Sequence, residues 1–236
     1  MNEISALEGL GTGERTAHPR ILLDVHTHHP APQPEGIVAL DPADFPAEGL
    51  YPAQFYSVGL HPWTLHGIGG ADPARLSALE AAASRRDVLA IGETGIDTVH
   101  GGGAPMAGQL NAFRQHVELS ERLGKPLIIH CVKAQDMIIG VKKDMNPKQA
   151  WIIHGFRGKP TVLQMLVEQG IYISFGAQFN AASLSACPAE LLLAETDEAP
   201  QRIQDVIAAL QTAREDVTPD LLAANMRRLF LLPGQE

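Results

Sequence analysis

Cysteine is scarce in this sequence, and its two cysteines are not placed for a disulfide framework. Cys131 follows an apolar run, Cys187 precedes a proline, and neither belongs to a CxxC pair. A thiolate zinc site is therefore not expected. Both thiols are expected to be reduced, as is usual in the cytosol.

Long apolar runs are also missing. No stretch approaches the roughly 20 apolar residues that a helix needs to span a bilayer. Residues 1–17 are acidic and contain several glycines, without the basic start and apolar centre of a secretory signal. We therefore expect no membrane association and a cytoplasmic location.

Basic residues are in the minority, with 18 Lys and Arg against 27 Asp and Glu and a net charge of −9. A protein that binds nucleic acid mainly by charge is usually basic, because lysine and arginine neutralise phosphates. The composition argues against tight non-specific binding. It is compatible with a small site that holds one phosphate.

Eight short apolar runs rich in Val, Ile and Leu are typical of buried parallel strands. Helical patterns follow most of the later runs, and this alternation predicts βα units. With 236 residues, the chain is close to the ~250 of an α/β barrel, so we predict a (β/α)8 TIM-type barrel. The predicted strands are 20–25, 36–40, 54–60, 88–93, 127–130, 151–154, 171–175 and 191–194, and the helices are 73–86, 106–123, 134–143, 160–169, 201–214 and 218–230.

The beginning of the chain departs from this regularity. Residues 29–53 are rich in proline and show no helical pattern, so some outer helices are expected to be missing or shortened there. Residues 1–19 are predicted to be a loose N-terminal tail. Residues 20–236 are predicted to form a single barrel domain.

Histidines and carboxylates follow five of the apolar runs directly. The carboxyl ends of all strands in a parallel barrel meet at one face, so these side chains are expected to converge there. Imidazoles and carboxylates together are typical of a hydrolase metal site. The candidate ligands are His26, His28, Glu93, His130, His154 and Asp197.

Each of these residues also has a simpler interpretation. His26 and His28 point to one side of a strand and can hold one ion, but the HxH pattern is short and arises by chance. A carboxylate such as Glu93 can bridge two cations, or it can be an exposed strand-end group. A single strand-end histidine is more often a hydrogen-bonded polar group than a ligand. Two in equivalent positions, His130 and His154, are harder to dismiss.

Other polar residues near these positions have supporting interpretations. Lys133 and Arg157 each follow a candidate histidine by three residues and either hold an anionic group or are solvated charges. His61 ends the third strand, where it can contact a phosphate or donate a proton. Asp97 and Glu195 are assigned supporting roles, with pairing to a basic residue as the alternative for Glu195. The histidines assigned to the surface are His18, His66, His100 and His116.

Taken together, these segments resemble the TatD family of metal-dependent hydrolases in the amidohydrolase superfamily. The resemblance extends from Asp24 to Phe230. Its motifs are Asp24-Val25-His26-Thr27-His28, Gly59-Leu60-His61-Pro62, Gly92-Glu93-Thr94-Gly95-Ile96-Asp97, Pro126-Leu127-Ile128-Ile129-His130-Cys131, His154-Gly155-Phe156-Arg157-Gly158 and Glu195-Thr196-Asp197.

The resemblance implies a site with two divalent cations, with Mg, Mn and Zn as candidates. By position, His26 and His28 would hold one ion with Asp197, Glu93 would bridge, and His130 and His154 would complete the second. Members of the family cleave DNA, often as 3′-to-5′ exonucleases, and some are linked to removal of D-amino acids from tRNA. The short segment between His28 and His61, and Thr98 in place of a common aromatic, put substrate choice in question.

The prediction is a metal-dependent phosphodiesterase of the 3′–5′ exonuclease type that acts on a DNA end, with weak non-specific affinity and no obligate protein partner. Asp197 and Glu93 are the predicted catalytic carboxylates, with Asp197 taking the proton of the attacking water. His61, Lys133 and Arg157 are predicted to hold the phosphate. The alternatives are an ester or amide hydrolase, such as an aminoacyl-tRNA deacylase or a lactonase, and a barrel that only binds a metal or a partner.

Overall fold

Eight parallel strands close into a barrel in the computed structural model, which describes residues 21–29, 35–45, 54–67, 69–100 and 104–230. Each strand pairs with the next along the chain, and Asp24 pairs with Ala194 to close the ring. The predicted barrel is confirmed. The strands are β1 (Asp24–Thr27), β2 (Gly36–Leu40), β3 (Phe55–Val58), β4 (Val88–Asp97), β5 (Leu127–Val132), β6 (Trp151–Ile153), β7 (Tyr172–Phe175) and β8 (Leu192–Ala194).

Six of the seven described α-helices lie where the sequence predicted them. Local signals explain their ends: the Asp72 side chain accepts the amide protons of Ala74 and Arg75, and Gly124 ends a helix at φ 67°. None of the described helices is long and apolar enough to cross a membrane. The helices are α1 (Pro73–Ala83), α2 (Met106–Leu123), α3 (Gln135–Met145), α4 (Pro160–Val167), α5 (Ala181–Ala186), α6 (Ile203–Ala213) and α7 (Pro219–Leu229).

The described residues between β1 and β3 contain no helix, in agreement with the loss of outer helices predicted for this part of the chain. Residues 30–34 and 46–53 lie outside the described ranges, as does the predicted tail at 1–19. Helix α5 has no counterpart among the predicted helices. This helix has only six residues, which is too short for a helical period to show.

Strand β4 is longer than predicted and continues through Gly92 and Gly95 to Asp97. The predicted end of the strand at residue 93 is therefore wrong. A Cβ atom at Gly95 would collide with the His130 carbonyl oxygen, and Gly95 has a φ of 147°. Glycine thus allows β4 to approach β5 closely, which brings Glu93 and Asp97 beside His130.

Two apolar clusters hold the barrel together. The larger one packs the strands against the surrounding helices. The smaller one joins buried side chains of seven strands, which can meet only inside the closed ring, to Met226 of α7. The interior is therefore a packed core beneath the face where the strands end. The strand residues of the smaller cluster include Val25, Ile37, Phe55, Leu89, Ile128, Ile152 and Leu193.

His116 was assigned to the surface from the sequence, but it is fully buried in α2. Its Nδ1 donates to the Ala112 carbonyl at 2.7 Å, and its Nε2 accepts the Leu60 amide proton at 3.0 Å. The neutral ring thereby joins α2 to the segment that follows β3. A histidine inside a helix has no strand-end position to mark it. The remaining histidines assigned to the surface are His66 and His100, which are exposed, and His18, which lies outside the described residues.

The buried position of His116 predicts a pH-dependent stability. Burial lowers its pKa from 6.5 to about 4. Between these values the unfolded chain binds a proton that the folded protein does not, so acidification lowers the free energy of unfolding. Between pH 7 and pH 5, we expect the free energy of unfolding to fall by about 2 kcal/mol more in the wild-type protein than in His116→Gln.

Urea unfolding of both proteins in chelator at the two pH values measures this difference. Glutamine has one donor and one acceptor, as neutral histidine does, but it does not titrate. The other titrating groups are common to both proteins and cancel. An identical pH dependence of the two proteins would contradict the assignment.

Candidate metal centre

The carboxylate of Glu93, at the middle of β4, lies among five imidazole rings. Three of them face its Oε1 atom. The distance is 2.7 Å to His130 Nδ1, 2.8 Å to His154 Nε2 and 3.2 Å to His61 Nε2. His130 lies in β5, and His61 and His154 follow β3 and β6, so only closure of the barrel brings the three together.

The other oxygen of Glu93 faces the end of β1. Its Oε2 atom lies 3.2 Å from His28 Nε2 and 3.5 Å from His26 Nε2. Asp197 completes this side, with Oδ1 3.8 Å from His26 Nε2 and 3.9 Å from His28 Nε2. All six candidate ligands therefore converge, and the two oxygens of Glu93 face different groups of histidines.

Backbone pairing holds Asp197 in place. Its amide donates to the His26 carbonyl at 2.9 Å, and its carbonyl accepts from the His28 amide at 3.0 Å. Asp197 has a φ of 53°, a left-handed conformation that aspartate tolerates better than most residues. The chain after β8 is thereby fastened across the end of β1, beside the two histidines that the carboxylate faces.

Asp24, which is not among the predicted site residues, holds the chain on both sides of this arrangement. It accepts hydrogen bonds from the amides of His26 at 3.3 Å and Thr196 at 3.0 Å, and it lies 2.7 Å from the Thr196 hydroxyl. Burial raises its pKa to about 7 against these hydrogen bonds. Strand alternation was the available signal, since residues 24, 26 and 28 share one side.

Asp97 accepts hydrogen bonds from three N–H groups and lies beside His130. One oxygen of Asp97 accepts the amide protons of Val99 and His100, and the other accepts the Trp63 indole N–H at 2.9 Å. Burial opposes ionisation, but these hydrogen bonds, led by the His100 amide, hold the pKa of Asp97 well below its usual range. The carboxylate lies 3.1 Å from His130 Nε2 and can accept its proton. His130 Nδ1 shares a hydrogen with Glu93 Oε1 at 2.7 Å, and a bound cation would take the place of that hydrogen.

Glu195 lies beside His154, as Asp97 lies beside His130. Its Oε1 lies 3.6 Å from His154 Nδ1 and accepts the Gly155 amide proton at 2.5 Å. Burial disfavours the charged form of His154, but Glu93 and Glu195 raise its pKa well above the usual value. The same negative field attracts a cation, which would then replace the proton.

The buried ring of His26 has a polar atom whose hydrogen-bonding capacity is not used by the described residues. The ring is fully buried, and its Nε2 atom makes no hydrogen bond within the described part of the chain, although carboxylates lie 3.5 and 3.8 Å away. Buried polar atoms are normally satisfied. Imidazole and carboxylate donors together suit Zn, Mn and related divalent ions. The residues present therefore fit a divalent cation.

The tautomer of His61 is set by the backbone amide of Trp63. Its Nδ1 accepts the Trp63 amide proton at 3.2 Å, so Nε2 carries the hydrogen of the neutral ring. This N–H points toward Glu93 Oε1. His61 is therefore placed as a hydrogen-bond donor at the edge of the centre, and its contact with a phosphate stays a prediction.

Lys133 and Arg157 are exposed and do not join the cluster around Glu93. They line a cavity of about 630 Å³ that His130 and His154 also line. Arg157 donates to Gln178 Oε1 at 2.7 Å. A second cavity of about 380 Å³ lies over the centre. Its lining includes His28, His61, Trp63, Glu93 and Asp197.

The sequence and the fold are similar to those of known proteins. A protein of Salmonella typhimurium named 3′-5′ ssDNA/RNA exonuclease TatD is 28% identical over 174 residues, which cover 70% of this chain and 65% of that protein. A Mycobacterium tuberculosis protein named uncharacterized metal-dependent hydrolase TatD is 32% identical over 138 residues, 53% of this chain and 52% of that protein. The chain thus spans between half and two thirds of the length of these relatives.

Among solved structures, the barrel is similar to YjjV, a TatD homologue from Escherichia coli K12. The TM-score is 0.74 at 22% identity, over 91% of this chain and 99% of that one, which supports the fold. A sequence model of the family described as TatD related DNase matches residues 46–230. Because this match covers well over half of the sequence, the chain belongs to the TatD related DNase family.

Proposed function

We propose that this protein is a hydrolase that holds two divalent cations and removes nucleotides from the 3′ end of a single nucleic-acid strand. The position of Glu93 carries the proposal. Its Oε1 faces His130 and His154, while its Oε2 faces His26 and His28. A carboxylate with separate imidazole groups at each oxygen is suited to bridge two ions.

The cations would be divided between the two groups of ligands. His26, His28 and Asp197 would hold one, and His130 and His154 the other, with Glu93 shared between them. Bound metal ions of this kind activate a water molecule and stabilise charge on phosphoryl oxygens. The identity of the ions follows from the experiment below.

The protein's own groups supply the remaining functions. The Asp197 side chain is 26% exposed, so it can reach a water molecule in the cavity and accept its proton. The His61 Nε2–H is aimed into the centre and can donate to a phosphate oxygen. Lys133 and Arg157, on the wall of the larger cavity, can neutralise the strand that leads to the site.

A strand end suits the charge of this protein better than a long duplex does. The net charge of −9 gives little general attraction for phosphates, so binding depends on local contacts. The Salmonella relative is named as an exonuclease of single-stranded DNA and RNA, which supports this choice of substrate.

The test is cleavage of 5′-labelled single-stranded DNA and RNA by chelator-stripped protein that is resupplied with Mg, Mn or Zn. We expect stepwise shortening that requires metal, with no cleavage of a circular strand. His130→Ala should lose activity by about 10²-fold or more, because a ligand of the centre is removed. Cleavage of the circle would contradict the end requirement. No cleavage by metal-loaded protein, with turnover of simple esters, would replace the nuclease with a carbonyl hydrolase.

A further inference from the structure

Trp63 is a large aromatic residue that remains half exposed at the mouth of the centre. Its relative exposure is 49%, whereas the only other tryptophan in the sequence, Trp151, is fully buried. Trp63 lines the cavity of about 380 Å³ that also contains His61 and Glu93. An apolar ring of this size in contact with water loses the stabilisation that burial would give it.

The ring is nevertheless held in a fixed position. Its indole N–H donates to Asp97 Oδ2 at 2.9 Å, and its amide donates to His61 Nδ1 at 3.2 Å. The ring centroids of Trp63 and His61 lie 4.8 Å apart at an interplanar angle of 85°. The Trp63 and His130 centroids lie 5.9 Å apart. An exposed ring with little freedom is well prepared to stack on a flat ligand.

We propose that Trp63 stacks on a nucleobase of the nucleotide whose phosphate lies at the metal centre. The inference rests on the proposed function and extends it to the recognition of the base. Every base has a π face, so stacking tolerates any sequence, as a general exonuclease requires. The ring contacts His61 and lies near His130, so a single nucleotide can reach from Trp63 to the centre.

The acidic wall of the same cavity is consistent with a base rather than a phosphate at this position. Asp44 and Glu198 line the cavity, and Asp41 does so while paired with Arg75 at 2.8 Å. Carboxylates repel phosphates but accept hydrogen bonds from the exocyclic amino groups of bases. The basic residues Lys133 and Arg157 line the larger cavity instead.

Two variants separate stacking from the hydrogen bond to Asp97. Trp63→Phe keeps an aromatic face and loses the indole N–H, while Trp63→Leu loses both. If stacking matters, KM for a short oligonucleotide should rise about ten- to a hundredfold in Trp63→Leu and stay within about threefold in Trp63→Phe. If only the bond to Asp97 matters, both variants should lose kcat equally, and the proposal is overturned.

Fluorescence gives a readout that does not depend on cleavage. In the metal-loaded protein, pentathymidylate with phosphorothioate linkages that resist cleavage should quench the emission of Trp63, and an abasic pentamer with the same linkages should not. Trp63→Phe retains only the buried Trp151 and should show no quenching. Equal quenching by both pentamers would overturn the proposal. If the metal-loaded wild-type protein cleaves no nucleic acid, the proposed function fails, whereas cleavage that is indifferent to both Trp63 variants rejects the stacking alone.

Discussion

Replacing Glu93 with glutamine should reduce metal-dependent hydrolysis by about 10³-fold or more, because the charge around which the centre is built is lost. Five histidines lie within 3.5 Å of this carboxylate. Burial would favour its protonated form, but His154 and the other imidazoles keep the pKa of Glu93 well below the usual value. Glutamine has nearly the same shape and carries no charge to share between two cations.

Metal content distinguishes this explanation from a general loss of structure. The wild-type protein should bind two divalent ions per chain, and Glu93→Gln at most one, as measured by elemental analysis after dialysis. Glu118→Gln is the control, because it makes the same change at an exposed carboxylate of α2 that lines neither of the two cavities. It should retain both ions and most of the activity. Two bound ions and full activity in Glu93→Gln would reject the bridging role.

The convergence of the six candidate ligands could be predicted from the sequence for a geometric reason. Each follows an apolar run, and a barrel of parallel strands brings all such positions to one face. The prediction for His130 and His154 needed only the strand order, which the regular alternation of strands and helices supplies. Long-range pairing did not have to be known in detail.

What the sequence did not reveal depends on contacts between distant segments. Asp24 bonds to Thr196 across the closure of the barrel, and His116 accepts a proton from the Leu60 amide. Neither contact leaves a periodic signal in the chain. The extension of β4 was missed because Gly92 and Gly95 resemble turn residues. Both glycines leave room for β5, because a Cβ atom at either position would collide with that strand.

The exposure of Trp63 could not be predicted from the sequence either. In the sequence it is an aromatic residue after His61 and Pro62, and nothing there distinguishes a core residue from a surface one. The structure shows its exposure and its bond to Asp97, which itself bonds to His130. A residue that faces the ligand is thereby connected, through one carboxylate, to a candidate metal ligand.

Asp197→Asn should lower kcat by about 10²- to 10⁴-fold while KM changes little, because asparagine cannot accept the proton of the attacking water. The amide keeps an oxygen that can face His26 and His28, and the backbone bonds to β1 do not involve the side chain. Metal binding is therefore expected to persist. Glu118→Gln, which removes an exposed charge outside both cavities, should leave kcat within about twofold.

The double variant Glu93→Gln/Asp197→Asn tests whether the two carboxylates serve one reaction. Groups that act on the same reacting atoms are strongly non-additive, so the double variant should be no more than a few-fold worse than the poorer single variant. Steady-state kinetics with the preferred ion at saturation measures all four proteins. Losses that multiply would place Asp197 outside the step that Glu93 supports. In that case another group in the cavity must accept the proton, and His61, whose Nε2–H faces the centre, would first have to change its tautomer.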